Sequence, residues 1–262
     1  MAIWIADGKK GLIRDGQQVH ASPCYALARG WGKMYASLHK SGLCLDEEEI
    51  LFDFPLPPGA AVLFPFGEHL CALSSESDCV WALSPGNGSL CISAPAGSYP
   101  RFACVSPCGR HMAVAGGGAG EVVLFDREFH CLRRLRVAGA AVGLCFLPRA
   151  LAILCAVGEE KITSRLLMIS SRGVTEELCA CPQAPCCMLA LPGGRMLMGV
   201  HGQVVHLDAN GRTVGRTACV YPSRMRLTGK GPLFTDVWQG GLYNLQGRLI
   251  CPAPEPEDFF VT

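Results

Sequence analysis

The chain has 262 residues, of which 50% are hydrophobic and 17% are charged, and its formal net charge is +1. This composition supports a large buried core and argues against disorder, and the near-neutral charge lacks the basic excess of a nucleic-acid-binding protein. The first residues have no basic lead before an apolar segment, and no apolar run is long enough to cross a bilayer, so neither a secretory signal nor a membrane partner is predicted.

Cysteine is unusually frequent, with 16 residues. Several lie inside apolar runs, such as Cys145 and Cys155. In a secreted chain this number would suggest disulfides. Cysteines inside apolar runs are instead typical of reduced, buried thiols that pack as small hydrophobic side chains. We therefore predict a reducing compartment and a cytoplasmic location.

The first 25 residues predict three short strands, over residues 3–6, 11–14 and 17–21, bounded by turn residues. An inner partner for these strands is missing at this end of the chain. In the first complete repeat, the acidic residues around position 47 could form one helical turn. Their position between two strands predicts the tip of a hairpin instead.

From residue 26 onward, strand–turn–strand units recur at intervals of roughly 40 residues, which is the size of one propeller blade. Their turns hold a proline at positions 65, 107, 148 and 192, and an apolar run lies on each side. Each unit continues into a second hairpin with a polar turn, of which Asn210 followed by Gly211 is the clearest signal. Complete units begin near residues 26, 60, 101, 141, 186 and 224.

One apolar strand is left over at the other end of the chain, within residues 257–262. Read circularly, it supplies the inner strand that the first 25 residues lack, with Phe259 and Phe260 beside Ile3 and Trp4. Closure of this kind leaves no unpaired sheet edge at the join. The sequence therefore predicts an all-β, seven-bladed β-propeller of four-stranded antiparallel blades, formed as a single domain by residues 1–262.

One blade shows a family resemblance. Residues 102–115 and 121–126 resemble the blades of bacterial YVTN-type propellers and, more distantly, those of WD-repeat proteins. Cys108 stands where those families usually have aspartate, and Phe125 stands where WD repeats have tryptophan. The resemblance implies the propeller fold. It implies no catalytic residue, because such propellers host many unrelated functions.

Three motifs have both a chemical and a structural interpretation. The glycine-rich run at 116–120 could hold a phosphate, but a strand follows it rather than a helix, which favours a hairpin turn. The cysteines at 179, 181, 186 and 187 could bind zinc or an iron–sulfur cluster, but their spacing matches no usual ligand set. His201 and His206 could form a ligand pair, but we interpret them as exposed hairpin residues. No metal and no other cofactor is predicted.

Basic and aromatic residues recur where the predicted inner strands begin. The resemblance to other propellers implies that ligands often bind at one mouth of the central channel, which these strands line. Several guanidinium groups around one mouth of the channel would bind carboxylate or phosphate through paired hydrogen bonds. The alternative is that Tyr-Pro pairs are simply loops between blades and that the arginines cover the surface. The candidate ligand-binding residues are Tyr25, Arg29, Tyr99, Arg101, Tyr221, Arg224 and Arg226.

The predicted inner strands hold almost no acids apart from Glu257 and Asp258, which argues against a calcium-dependent hydrolase. No Gly-x-Ser-x-Gly motif or Ser–His–acid set supports nucleophilic catalysis, so no catalytic residue is assigned. The leading hypothesis is a monomeric, non-catalytic scaffold that binds a protein or a small anionic ligand, with an anion site at the channel mouth. The alternative is a propeller enzyme that uses the same mouth, such as a lactone hydrolase, a lyase or an oxidoreductase-associated subunit.

Overall fold

The computed structural model describes residues 2–47, 49–118, 120–170, 172–173 and 175–262. These ranges contain 28 short strands, which form seven four-stranded sheets. Most of the turns between the strands contain a glycine with positive φ. One short 3-10 turn, Pro192–Gly194, follows one of the inner strands. The described ranges contain no helix that is both long and apolar enough to cross a membrane.

The strands follow one another in hairpins along the whole chain. The first fourteen are β1 (Ile3–Asp7), β2 (Gly11–Arg14), β3 (Gln17–His20), β4 (Cys24–Gly30), β5 (Lys33–Leu38), β6 (Ser41–Asp46), β7 (Glu49–Pro55), β8 (Ala60–Phe66), β9 (His69–Ser74), β10 (Cys79–Leu83), β11 (Leu90–Pro95), β12 (Pro100–Val105), β13 (Met112–Gly116) and β14 (Glu121–Phe125). The remaining fourteen are β15 (Cys131–Arg136), β16 (Ala140–Leu147), β17 (Ala150–Val157), β18 (Thr163–Ser170), β19 (Thr175–Cys181), β20 (Pro185–Ala190), β21 (Met196–Val200), β22 (Gln203–Leu207), β23 (Thr213–Ala218), β24 (Pro222–Thr228), β25 (Gly231–Asp236), β26 (Gly241–Asn244), β27 (Leu249–Pro252) and β28 (Pro256–Val261).

The sheets are seven propeller blades. Blades 1 to 6 each take four consecutive strands between β4 and β27, and blade 7 combines β28 with β1, β2 and β3. Strand β28 pairs antiparallel with β1, with Trp4 opposite Phe260 and Ile5 opposite Phe259. The predicted number of blades and the predicted closure are both confirmed, and the inner strands of blades 1 to 6 begin within two residues of the predicted repeat starts.

Two predicted turns contain residues outside the described ranges. The acidic segment near position 47 is the turn between β6 and β7, as predicted, although Glu48 within it lies outside the described residues. The glycine-rich run lies between strands β13 and β14, as predicted for a hairpin, and its Ala119 also lies outside them.

Hydrophobic cores lie between neighbouring blades, because the preceding blade covers one face of each sheet and the following blade covers the other. The second strand of a blade is therefore buried along its length, as in β13 and β21, and reads as a continuous apolar run. The outermost strand is largely exposed, as in β15. The core between blades 6 and 7 contains Ile5, Ile13, Leu233, Leu242 and Phe259, so the closing strand contributes directly to it.

All 16 cysteines are free thiols, and eight of them are buried. Burial raises the pKa of such thiols, to about 12 for Cys145, and a protonated thiol is a poor nucleophile. Three cysteines are exposed to solvent: Cys91, Cys108 and Cys131. Chemical modification of the folded protein is therefore expected to be confined mainly to these three.

The first strand of each blade borders a central channel, and side chains from these strands line a cavity of 190 Å³. All seven inner strands begin at the same end of the ring, since the chain enters each blade from the outer strand of the preceding blade. We call this end the upper face and the opposite end the lower face. The predicted ligand-binding residues can be placed relative to these two faces.

Candidate functional site

A β-bulge occurs at the start of every inner strand. Each bulge leaves one residue unpaired with the second strand of its blade, and bulges at the rim of a sheet re-aim a side chain. Together the seven unpaired residues form one ring around the upper end of the channel, which we call the mouth ring. Its members are Tyr25, Ala61, Arg101, Val142, Cys186, Ser223 and Glu257.

The polar part of the mouth ring is concentrated on one side. Cys186, Ser223, Glu257 and Tyr25 come from the consecutive blades 5, 6, 7 and 1. The Ser223 hydroxyl lies 2.9 Å from the Thr235 hydroxyl of its own blade. The Glu257 carboxylate lies beside Gly8, so that a Cβ atom added to this glycine would be 3.5 Å from a carboxylate oxygen. Most polar residues of the mouth ring thus lie on this side, and of the seven ring residues only Val142 also lines the channel cavity.

Burial raises the pKa of the Glu257 carboxyl, and the nearby positive charges of Arg224 and Arg101 oppose this shift. Both arginines are among the predicted binding residues. The sequence indicates Glu257 only as an acid near an inner strand, and Glu257, Cys186 and Ser223 are not among the predicted binding residues. All three occupy equivalent bulge positions, which the register between the strands defines and no local sequence signal marks.

Arg224 lies one residue beyond the mouth ring in β24 and lines the channel cavity together with Arg226 and Asp258. Its backbone N–H donates to the Thr235 hydroxyl at 3.1 Å, which anchors the strand at this point. Among the described residues, none forms a hydrogen bond or an ion pair with its guanidinium. The guanidinium is therefore available to form charge-assisted hydrogen bonds to an anion in the cavity.

Arg226 is already engaged with protein groups. Its Nε and Nη2 atoms donate to the two carboxylate oxygens of Asp258 at 3.1 and 2.7 Å, and Nη2 also donates to the Leu27 carbonyl at 2.9 Å. Its guanidinium lies 5.4 Å from the centre of the Phe260 ring. Arg226 therefore joins blades 6, 7 and 1, and a ligand could use it only by sharing these contacts.

Asp258 is the buried partner in this group, at 3% exposure. It also accepts a hydrogen bond from the Leu27 N–H at 3.0 Å. Burial alone would raise the pKa of Asp258, but Arg226, Arg224 and the Leu27 N–H together lower it. The carboxylate is thus held in its charged form inside the channel wall.

The other predicted residues fall into two places. Tyr99 and Tyr221 precede inner strands on the upper face, and the Arg101 guanidinium lies 4.9 Å from the centre of the Tyr99 ring. Arg29 lies near the end of β4, next to the turn on the lower face. Arg29 is therefore separated from Tyr25 by most of the strand, although both residues belong to one short sequence segment.

Tyr221 belongs to an exposed aromatic group that the sequence did not indicate. Its ring stacks on Trp238, with centroids 5.6 Å apart, and His201 packs edge-on against Trp238 at 5.6 Å. Buried Asp236 fixes the pair, because its carboxylate accepts hydrogen bonds from the backbone N–H groups of Tyr221 and Trp238 at 3.2 and 3.1 Å. This gives the upper face a rigid aromatic surface between blades 5 and 6.

The remaining motifs have structural roles. His206 does not pair with His201: it is half-buried in β22, and its Nε2 atom lies 3.0 Å from the Thr217 hydroxyl. The expectation that both histidines are exposed is therefore wrong for His206, because the long outer strand β23 covers it. In the cysteine group, the Cys181 thiol donates to the Gln183 side-chain oxygen at 2.6 Å.

Comparison with known proteins supports the fold. No protein-family model matches the chain, and no curated protein sequence matches it. A putative 6-phosphogluconolactonase from Bacteroides uniformis has a similar structure, with a TM-score of 0.75, 13% sequence identity and coverage of 99% of this chain and 98% of that one. A protein from Lactobacillus plantarum gives a TM-score of 0.75 at 13% identity, covering 99% of each chain.

A third similar structure is the β-propeller domain of Cps50 (Swd1) from Myceliophteria thermophila. It has a TM-score of 0.55 and 19% identity, and the match covers 68% of this chain and 62% of that one. At these identities the likeness shows the propeller fold and nothing finer. The predicted propeller resemblance is thereby confirmed at the level of the fold.

Proposed function

We propose that this propeller is a non-catalytic binding protein that holds a small anionic ligand at the upper mouth of its channel. The observation that carries the proposal is Arg224, whose guanidinium lines the channel cavity without a hydrogen-bonding partner among the described residues. The nearby carboxyl groups of Glu257 and Asp258 interact with its charge but form no hydrogen bond to the guanidinium, so an anion that does so gains free energy. One copy of the chain is sufficient for this role.

Nearby groups complement Arg224 in this proposal. Arg101 supplies a second guanidinium on the upper face, and Tyr25 supplies a hydroxyl donor from the mouth ring. Arg226 and Asp258 already neutralise each other. The charge available to a ligand is therefore that of Arg224 and Arg101, opposed by Glu257 when its carboxyl is ionised.

Replacing Arg224 with alanine is expected to weaken the binding of sulfate by about tenfold or more, because charge-assisted hydrogen bonds contribute roughly 1.5–3 kcal/mol each. Combining this change with Arg101→Ala should abolish binding. Isothermal titration calorimetry with sodium sulfate measures both. Arg29→Ala is the matched control, since this arginine lies on the lower face and should bind sulfate as the wild type does. Unaltered sulfate binding in the Arg101→Ala, Arg224→Ala double variant would refute the proposal.

Sulfate affinity is also expected to rise as the pH falls through the raised pKa of Glu257. Deprotonated Glu257 repels an anion and competes for Arg224, and protonation removes that negative charge. Because burial raises its pKa above the ordinary 4.5, the change should begin at a higher pH than for an exposed glutamate.

Sulfate keeps a constant charge between pH 4 and 8, so a calorimetric titration series over this range isolates the protein's contribution. The variant Glu257→Gln should bind sulfate more tightly at pH 7 and lose most of the pH dependence. A Glu257→Gln protein with the same slope as the wild type would show that this carboxyl does not face the ligand.

A second candidate function is a propeller enzyme at the same mouth. It is favoured by Glu257, because a carboxyl with a raised pKa next to arginines has the properties of a general base or acid. Two similar structures are named putative 6-phosphogluconolactonases, and their named substrate is anionic. Hydrolysis of 6-phosphogluconolactone faster than its spontaneous rate, lost in Glu257→Gln, would favour the enzyme. Binding without acceleration would favour the scaffold.

A further inference from the structure

A second cavity, of 730 Å³, lies on the lower face between blades 3 and 4. The turns after β12 and β16 border it on one side, and the outer strand β15 borders it on the other. We call it the blade 3–4 groove. Its volume falls within the range of roughly 300–1,000 Å³ that is typical of small-molecule sites. It lies at the opposite end of the molecule from the mouth ring.

The walls of the blade 3–4 groove are apolar. Blade 3 contributes Leu124, Leu132 and Leu135, and blade 4 contributes Phe146 and Ile169. Leu124, Leu135 and Phe146 are partly buried at the edge of the core between these two blades, and Leu132 beside them is 52% exposed. Contiguous exposed apolar surface is uncommon on soluble proteins unless it binds something. An apolar ligand body would cover these side chains.

The permanently charged groups of the groove are two arginines, so their charges are of one sign. His111, Arg133 and Arg149 line it, and none of its lining residues, all of which lie in the described ranges, is acidic. Within those ranges, neither arginine has a hydrogen bond or an ion pair to its side chain. Two free guanidiniums beside an apolar wall are complementary to an anionic head group. The same arrangement disfavours a cationic or a neutral polar ligand.

We propose that the blade 3–4 groove binds an amphipathic organic anion, with its apolar body against Leu124, Leu135 and Phe146 and its carboxylate or sulfate head on Arg133 or Arg149. This site is independent of the proposed function of the channel mouth. Its ligand differs from one for Arg224, because the channel cavity has only 190 Å³ and the groove has 730 Å³.

A natural reporter lies in the same groove. The Cys108 thiol lines it, is exposed, and lies 3.4 Å from the Ser106 hydroxyl. The hydrogen bond from Ser106 lowers the pKa of Cys108, and a larger thiolate fraction favours alkylation. A ligand in the groove should shield this thiol. Cys91 is exposed on blade 2, away from the groove, and provides an internal control.

The first test uses dodecanoate below its critical micelle concentration as the probe, with iodoacetamide labelling of each cysteine followed by peptide mass spectrometry. Dodecanoate should slow the labelling of Cys108 severalfold and leave that of Cys91 unchanged. Equal protection of both cysteines would indicate non-specific association, and protection of neither would mean that the groove does not bind the probe. Either result would overturn the proposal.

The second test separates the head group from the body. The double variant Arg133→Ala, Arg149→Ala should bind dodecanoate at least about tenfold more weakly by calorimetry, and Leu132→Asp, which adds a repelling charge at an exposed position, should also weaken it. Arg212→Ala, at an exposed turn of blade 5, is the matched control. Dodecanoate binding that is insensitive to the two groove arginines would refute the assignment.

The two proposed sites can fail separately. Arg224→Ala should leave dodecanoate binding unchanged, and the groove double variant should leave sulfate binding at the channel mouth unchanged. If Arg224→Ala abolishes dodecanoate binding, the probe occupies the channel and the groove proposal is wrong. Circular dichroism of each variant should match that of the wild type, because every substituted side chain in the groove is at the surface.

Discussion

Replacing Phe259 with alanine is expected to destabilise the ring by about 4 kcal/mol, which is typical of removing a fully buried phenylalanine. Phe259 is 0% exposed and lies in the core between blades 6 and 7. It belongs to β28, so the cavity left by the substitution would weaken the strand that closes the ring. Urea unfolding followed by circular dichroism measures the loss as a lower free energy of unfolding.

The neighbouring Phe260 provides the control for this prediction. It alternates to the other side of β28, is partly exposed, and contacts the Arg226 guanidinium. Phe260→Ala should lower the free energy of unfolding by about 2 kcal/mol, because its ring is only partly buried against the core between blades 7 and 1 and makes one cation–π contact. If Phe259→Ala lowers the free energy of unfolding no more than Phe260→Ala does, the core between blades 6 and 7 does not contribute to ring closure as proposed.

Replacing Asp258 with alanine is expected to destabilise the protein by about 3 kcal/mol, since removing one partner of a buried ion pair leaves the other charge uncompensated. The lower end of the usual range applies because the Arg226 side chain is 33% exposed. The Leu27 N–H also loses its acceptor. Thermal and urea unfolding should both show the loss, and Asp53→Ala, at an exposed position of β7, should show almost none.

The pH dependence provides an independent check on Asp258. Its pKa is lower in the folded protein than the ordinary value of 3.8, so its contribution to stability is present above that value and disappears as the pH falls through the folded pKa. The difference in free energy of unfolding between the wild type and Asp258→Ala should therefore narrow in acid. A difference that stays constant between pH 7 and pH 3 would mean that the ion pair is not the source of the effect.

The fold could be predicted from the sequence because its signals are local and repeated. Proline at the hairpin turns and an apolar run on each side mark every blade from residue 60 to residue 200, and these features do not depend on distant contacts. Closure could be predicted because Phe259 and Phe260 form an apolar strand without a partner at one end of the chain, and residues 3–21 lack an inner strand at the other.

The site could be predicted only in part. Arg101 and Arg224 follow tyrosine–proline pairs, and this signal placed them correctly at the start of inner strands. Tyr25 and Arg29 are close in sequence, but a strand advances about 3.3 Å with each residue. The four positions between them therefore place Tyr25 at the upper face and Arg29 near the lower face. The ion pair of Arg226 with Asp258 joins strands from different blades, and no local pattern indicates such a pairing.

The bulges and the groove were beyond sequence reasoning for different reasons. A bulge is defined by the register between two strands, which becomes visible only when the repeats are paired residue by residue. The blade 3–4 groove depends on the space between two sheets, and its leucines in β15 stand among arginines as on any exposed strand. Whether Leu132 and Phe146 face each other is decided by how the blades pack.

The antiparallel pair β1 and β28 joins residues that are almost a whole chain apart, with Ile3 opposite Val261. The entropy lost on closing a loop grows with the logarithm of its length, so this pair forms at a disadvantage of roughly 3 kcal/mol relative to a ten-residue hairpin. Every other strand pair joins neighbours in sequence and can reform quickly after a fluctuation. Pairing of β1 with β28 in blade 7 is thus expected to be the slowest step of ring closure. Once formed, it makes the unfolding of the other six blades cooperative.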